Sequence, residues 1–433
     1  MTKKQDQDLQ STKFAFALYM FYMLSFFLRL PSRLPVLGAL RIDLLLVATI
    51  FLLIVTAKIK GQEKSNISKY ILTLFIYSIV VLPFTTWPGS VIGKGVPEFI
   101  KAAIFFLFTY KLVLNEQRLK VLIYIFIFAN TFRVIEPLYL NITQDYWGSK
   151  TSFGWDQVNR LSGSPADTIN ANGLAFVIAS ILPFYHYLFG TKTLSRKIIY
   201  WGLLPVLLYT MSLTLSRSGL LAVAIIYGVI FLKSKRKGVL TAMGICGIII
   251  FFASLNEIQR DRYLSIFDSD TKSAGSAEGR FSGWERDFDV AMVKPIFGHG
   301  LGTSREANWN FGGNDQPSHN LWIEVLQELG FVGLILFMLY TKEIYKGFRA
   351  TERDVRKNTE SSTFIKSCVP AMQVWLAMNF LFSFASYGLS SYEWYFFGGL
   401  SAVMLRLSYI PPKAVAVIDN AAIEGIAVIR GKH

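Results

Sequence analysis

Two cysteines and four histidines in 433 residues leave little material for a disulfide framework or a metal centre. Cys246 and Cys368 both fall in apolar runs, which assigns them to packing. His299 and His319 are too sparse a ligand set for zinc. A nucleotide loop is missing as well. The glycine run Phe297-Gly298-His299-Gly300-Leu301-Gly302 follows no strand and is not succeeded by Lys-Ser or Lys-Thr, so it reads as a tight turn. No internal repeat is visible. The first apolar run, residues 14–27, follows Lys3, Lys4 and Lys13 and lacks a small-residue cleavage site, so an anchor is expected there. Acidic residues are outnumbered, 29 against 44 Lys and Arg, for a net charge of +15. In a soluble chain that excess would point to nucleic acid. Beside so much apolar sequence, the positive-inside rule accounts for it, and the expected partners are membrane lipids rather than nucleic acid.

What is abundant is apolar sequence. Hydrophobic residues make up 52%, aromatic residues 15%, and the mean hydropathy is +0.40. The fold expected is all-α and integral to the membrane, because a bilayer demands spans of about 20 apolar residues with internally bonded backbones. We read about 12 spans, near residues 14–30, 42–57, 70–87, 98–114, 120–139, 170–190, 198–214, 219–232, 239–255, 319–340, 368–387 and 391–407. The domain plan follows: membrane helices over 1–255, a large loop over 256–318, membrane helices over 319–407, and a tail over 408–433. The basic loop Lys233-Ser234-Lys235-Arg236-Lys237 sets the orientation. It puts both termini in the cytoplasm and the large loop outside. The tail's apolar stretch, residues 414–429, is broken by Asp419, Asn420 and Glu424 and is a poor span.

Around that large loop stand the residues suited to chemistry. Arg217 lies in Ser216-Arg217-Ser218-Gly219, at the outer start of a span. Arg280 lies within the loop, framed by glycines, and His319 opens the following span. Long loops often carry function. Arginine at a membrane boundary is costly unless it meets an anion or a buried partner, and its fork suits phosphate. A histidine at a helix start is biased to its neutral form and so to accepting a proton. Ser216 and Ser218 could donate to phosphate oxygens, Asn320 could orient His319 or bind a sugar hydroxyl, and Trp284, Phe288 and Met292 fall on one face of an amphipathic stretch over 282–293. Arg160, with Asn170 and Asn172, occupies the other sizeable outer loop and is a further candidate for sugar binding. Arg133 and Glu136 read as a structural charge pair in a span. Asp268-Ser269-Asp270 and Asp287-Phe288-Asp289 have metal-binding spacing, yet such spacings arise by chance in a loop of this size, and no metal or other cofactor is expected. An outer-face enzyme cannot draw on cytosolic nucleotide sugars. Its donor must already have crossed the membrane, as a lipid phosphate or diphosphate.

The stretch from Arg160 to Gly333 resembles the O-antigen ligase and polymerase superfamily of bacterial membrane glycosyltransferases. The resemblance rests on Ser216-Arg217-Ser218-Gly219, on Arg280 with Trp284, on Pro295-Ile296-Phe297-Gly298-His299-Gly300, and on His319-Asn320 followed by Glu328-Leu329-Gly330-Phe331-Val332-Gly333. Asn170-Ala171-Asn172-Gly173 is similar to the family's asparagine-bearing helix entry, although Asp167-Thr168-Ile169-Asn170 stands where Asp-Pro-Asn is expected. The resemblance implies a C-type glycosyltransferase fold and metal-independent, inverting transfer from an undecaprenyl-diphosphate-linked glycan. It implies that Arg217 and Arg280 hold the diphosphate and that His319 is the general base. The acceptor would be lipid A-core for a ligase, a second lipid-linked glycan for a polymerase, or a protein hydroxyl for an O-oligosaccharyltransferase; ligase is the first reading. The inner membrane is the expected location, with the active site in the periplasm. A transporter or flippase of lipid-linked sugars or small anions is the rival from another class.

Overall fold

A computed structural model describes residues 3–56, 65–153, 156–190, 193–255, 257–264, 275–358, 362–386 and 388–408. Helices make up 80% of it. Each of the twelve expected apolar segments lies on a helix, from Lys3–Leu28 to Tyr392–Ser408. Five are long and apolar enough by themselves to cross a bilayer: Ser11–Leu28, Glu116–Gln144, Ala171–Phe189, Leu321–Lys357 and Thr363–Phe382. Ile42–Thr56, Asn66–Val80 and Lys237–Ala253 are apolar but shorter.

The helices share one extended aromatic and aliphatic core. Phe105, Phe126, Tyr340, Trp375, Trp394 and Phe397 are all fully or almost fully buried in it. Many leucines, isoleucines and phenylalanines remain on the outside of the helices, among them Leu52, Phe128, Ile142 and Ile248. A soluble protein would bury such side chains, whereas a lipid-facing surface keeps them out. Cys368 is buried as expected, but Cys246 lies on this outer surface rather than in packing.

Two features depart from the expected plan. Residues Gly148–Phe153 and Asp156–Leu161 form an antiparallel hairpin in which Ser149 pairs with Arg160. The segment 256–318, expected as loop with one amphipathic stretch, carries three helices among its described residues: Glu257–Leu264, Gly275–Val293 and Ser304–Gly312.

The longest helix, Leu321–Lys357, is broken at Gly330, where φ is 66° and ψ is −171°. The broken turn leaves main-chain groups without intrahelical partners, and the glycine run upstream takes them up. Gln327 O accepts from His299 N at 2.7 Å, Glu328 O accepts from Gly300 N at 2.9 Å, and Phe331 N donates to Pro295 O at 2.7 Å. A Cβ on Gly330 would lie 2.2 Å from Ile296 O, so only glycine admits this approach. The Glu328 carboxylate continues the clasp, accepting from Gly302 N at 2.8 Å and Ser304 N at 3.3 Å. The glycine run is therefore the seat of a broken helix, and the tight turn expected there has a mechanical purpose.

Candidate functional site

Ser216 is the N-cap of the Arg217–Lys233 helix. Its Oγ accepts from Gly219 N at 3.1 Å, which places Arg217 on the first helical residue, at the positive end of the helix. The turn leading in is tight. Leu215 takes a left-handed φ of 48°, held by burial of its side chain beside Leu255 and Tyr263. Gly219 lets this helix approach its neighbour Ala171–Phe184 closely; a Cβ there would lie 2.6 Å from Ala175 Cβ.

The neighbouring helix supplies the hub. Asn170 caps it, accepting from Gly173 N at 2.8 Å. Asn172 turns the other way, and its Oδ1 accepts from Ser216 Oγ at 2.9 Å and from Arg160 Nη2 at 2.8 Å. Arg160 Nε also donates to Thr214 O at 2.9 Å. Three segments distant in sequence thus meet beside Arg217: the hairpin, the start of one helix and the N-cap of another. Ser216 and Ser218 are both buried, with their hydroxyls 3.2 Å apart. Ser216 Oγ thus serves both the helix cap and Asn172.

His319 stands one residue outside its helix, not on its first turn. The N-cap is Asn320, whose Oδ1 accepts from Trp322 N at 3.0 Å and Ile323 N at 3.3 Å. Asn320 is therefore a capping residue, and it is 3% exposed. Ser318 is also fully buried, so the backbone is clamped on both sides while His319 itself is exposed. Leu321 N donates to Ser383 O and Ser386 O, both at 2.9 Å, fixing this entry to the end of the Thr363–Phe382 helix. Phe382 packs on Phe176 in the first turns of the Ala171–Phe184 helix, with ring centroids 4.7 Å apart. Through these contacts the Arg217, Asn172 and His319 ends lie at one end of the bundle.

Asp287, dismissed on sequence as half of a chance acidic pair, sits close to His319. It is 3% exposed, and burial pushes its carboxyl above the ordinary range; Ser318, Arg286 and His319 pull the other way. Its helix, Gly275–Val293, buries Gly283, Asp287, Val290 and Ala291, whereas Phe288 is exposed and Trp284 and Met292 are half-buried. The Trp284, Phe288 and Met292 face is thus less buried than the face that carries Asp287. Gln327 Nε2 binds Asp287 O at 2.8 Å and Asn308 Oδ1 at 2.7 Å, tying this helix to the His319 helix. The signal for Asp287 was its helical spacing from Gly283 and Val290. Arg280 belongs to the same helix rather than to a loop; its side chain lies outside the described residues.

His299 is a structural residue. Its Nε2 faces Val290 O at 2.9 Å and must carry the proton, so Nδ1 accepts from the Thr86 hydroxyl at 3.0 Å. Burial lowers its proton affinity, in keeping with a neutral ring. Arg133 and Glu136 do not pair with each other. Arg133 binds the buried Asp167 at 2.6 Å, while Glu136 pairs with Arg33. Asp268-Ser269-Asp270 lies outside the described residues. Asp287 and the exposed Asp289 are two positions apart on a helix and point to different sides. Among the described residues no cluster of His, Cys, Asp and Glu has the arrangement of a metal site.

Residues 202–338 match the family described as O-antigen ligase. Over these residues the chain is similar to the O-antigen ligase family. The matched stretch includes Arg217, Arg280, Asp287, His319 and the break at Gly330; Arg160 and Asn172 lie before it. Members of the family are glycosyltransferase-like enzymes, and their substrates are in general lipid-linked glycans. No curated protein matches the chain.

Proposed function

We propose that this protein transfers a glycan from undecaprenyl diphosphate to an acceptor hydroxyl at the outer face of the bacterial inner membrane, as an O-antigen ligase acting on lipid A-core. The observation that carries the proposal is the setting of Arg217: first residue of a serine-capped helix, beside a hub in which Arg160 and Ser216 meet on Asn172. A helix N-terminus and a guanidinium together suit a diphosphate. As the glycosidic bond breaks, charge gathers on the leaving diphosphate, and fixed donors stabilise that charge best. Arg280 shares this task in the proposal. His319, exposed on a clamped backbone, removes the proton of the acceptor hydroxyl, and Asp287 beside it steadies the imidazolium formed. Trp284 offers an aromatic face to a sugar. The protons and charges balance without a metal: the base takes one proton and the diphosphate leaves with the bonding electrons.

We keep the twelve-span arrangement with both termini cytoplasmic as part of this proposal, because it places the Arg217 and His319 end on the side where lipid-linked glycans are displayed. Repeat-unit polymerase and protein O-oligosaccharyltransferase remain as second readings, since they require the same leaving group and base and differ only in the acceptor. A transfer assay offering lipid A-core and a second lipid-linked repeat in parallel distinguishes them. Product on lipid A-core alone supports the ligase, and product on the second repeat alone sinks it.

A further inference from the structure

The opposite end of the bundle holds a cavity that the proposed transfer does not use. Its volume is about 650 Å³, and it lies where three helices finish or begin. Lys233 ends the helix that Arg217 opens, so the cavity sits about 25 Å away from Arg217 along that 17-residue helix. Glu352 and Arg356 come from the far end of the His319 helix, and Lys366 from the first turn of Thr363–Phe382. Three cations thus line the cavity against one carboxylate. That carboxylate is already engaged: Glu352 accepts from Arg356 Nη2 at 2.6 Å and Gln373 Nε2 at 2.9 Å, and Arg349 lies 3.6 Å away. Lys233 donates to the neutral Gln373 Oε1. Ile230 and Val369 supply an apolar wall beneath this charged rim.

A cavity with a cationic rim and an apolar wall at one end of a membrane bundle matches a phosphate carried on an acyl chain. We propose that it binds the phosphate of an anionic phospholipid headgroup, with Lys233 and Lys366 as the principal contacts. The site is independent of the proposed glycan transfer.

The test uses full-length protein in detergent, mixed with equal amounts of phosphatidylglycerol and phosphatidylcholine, with retained lipid read by native mass spectrometry. Wild type should retain phosphatidylglycerol selectively. The K233Q/K366Q variant should lose roughly thirtyfold of that affinity, the contribution of two lysines near a headgroup. K233R/K366R should keep selectivity, and an unchanged melting temperature would show that the glutamine variant is folded. Excess inorganic phosphate should displace phosphatidylglycerol from the wild type. Equal retention of both lipids, or equal phosphatidylglycerol retention by wild type and a folded K233Q/K366Q, overturns the proposal. Displaceable binding of radiolabelled inorganic phosphate without any retained phosphatidylglycerol also overturns it and assigns the cavity to a soluble phosphate.

Discussion

Substituting Gly330 by alanine separates a required glycine from a tolerated one. The backbone at Gly330 occupies a region open almost only to glycine, and a Cβ there costs about 1–3 kcal/mol in strain. That Cβ would also lie 2.2 Å from Ile296 O, a main-chain atom that cannot swing aside. The turn at 295–300 must retreat, which loosens three main-chain hydrogen bonds, from Phe331 N, His299 N and Gly300 N, at roughly 1 kcal/mol each. The expected loss is about 4–6 kcal/mol. Gly228 is the control. It lies inside the Arg217–Lys233 helix with nothing within 4 Å of its would-be Cβ, so Gly228→Ala should be neutral or stabilise by up to about 1 kcal/mol. Unfolding in mixed detergent micelles, followed by tryptophan fluorescence, measures both. If G330A falls within about 1 kcal/mol of G228A, the reading of the broken helix as a glycine-dependent clasp is wrong.

Asn172→Ala removes the shared acceptor of Arg160 and Ser216; transfer should fall at least tenfold, while Asn170→Ala, which removes only a helix cap, should cost about 1 kcal/mol of stability and little activity. Asp287 is a buried acid whose proton affinity is raised on folding, so the folded state holds its proton more tightly than the unfolded chain. Its contribution to stability is present below the ordinary carboxylate pKa of 3.8 and is lost as pH rises through the higher folded value. Asp287→Asn should therefore melt higher than wild type at neutral pH and approach it in acid, yet transfer more slowly; a variant that melts lower at neutral pH would contradict the assignment. For His299 the sign is opposite. The folded ring resists protonation, so its contribution is lost as pH falls below 6.5, and His299→Gln should flatten the acid limb of a melting-temperature profile.

The hydrophobic runs made the helices legible, because twelve apolar segments between basic loops leave few other arrangements. What runs of hydropathy cannot reveal is polar helix. The Glu257–Leu264, Gly275–Val293 and Ser304–Gly312 helices carry too little apolar surface to announce themselves; the last two are held by docking on the Leu321–Lys357 helix, and the first by Tyr263 packed beside Leu215 and Leu255. The hairpin at 148–161 was hidden for a similar reason. Its strands are polar, and its pairing exists because Arg160 reaches Thr214 and Asn172, which lie far away in sequence. Arg217 and His319 stood out as polar residues at the edges of apolar runs. The roles of Ser216 and Asn320 did not, since a cap and a ligand-binding group are the same residue type until the helix start is known. Asp287 was missed because its significance comes from burial beside His319, a tertiary fact.

The most direct test of glycan transfer at the Arg217 and His319 end is reconstitution with undecaprenyl-diphosphate glycan and lipid A-core in the presence of a chelator. The account predicts product with wild type, a loss of about 10²–10³-fold for Arg217→Ala and Arg280→Ala, and about 10²–10⁴-fold for His319→Ala. Folded protein that binds the donor yet yields no product with either lipid A-core or a second lipid-linked repeat, or variants that transfer as fast as wild type, would contradict it.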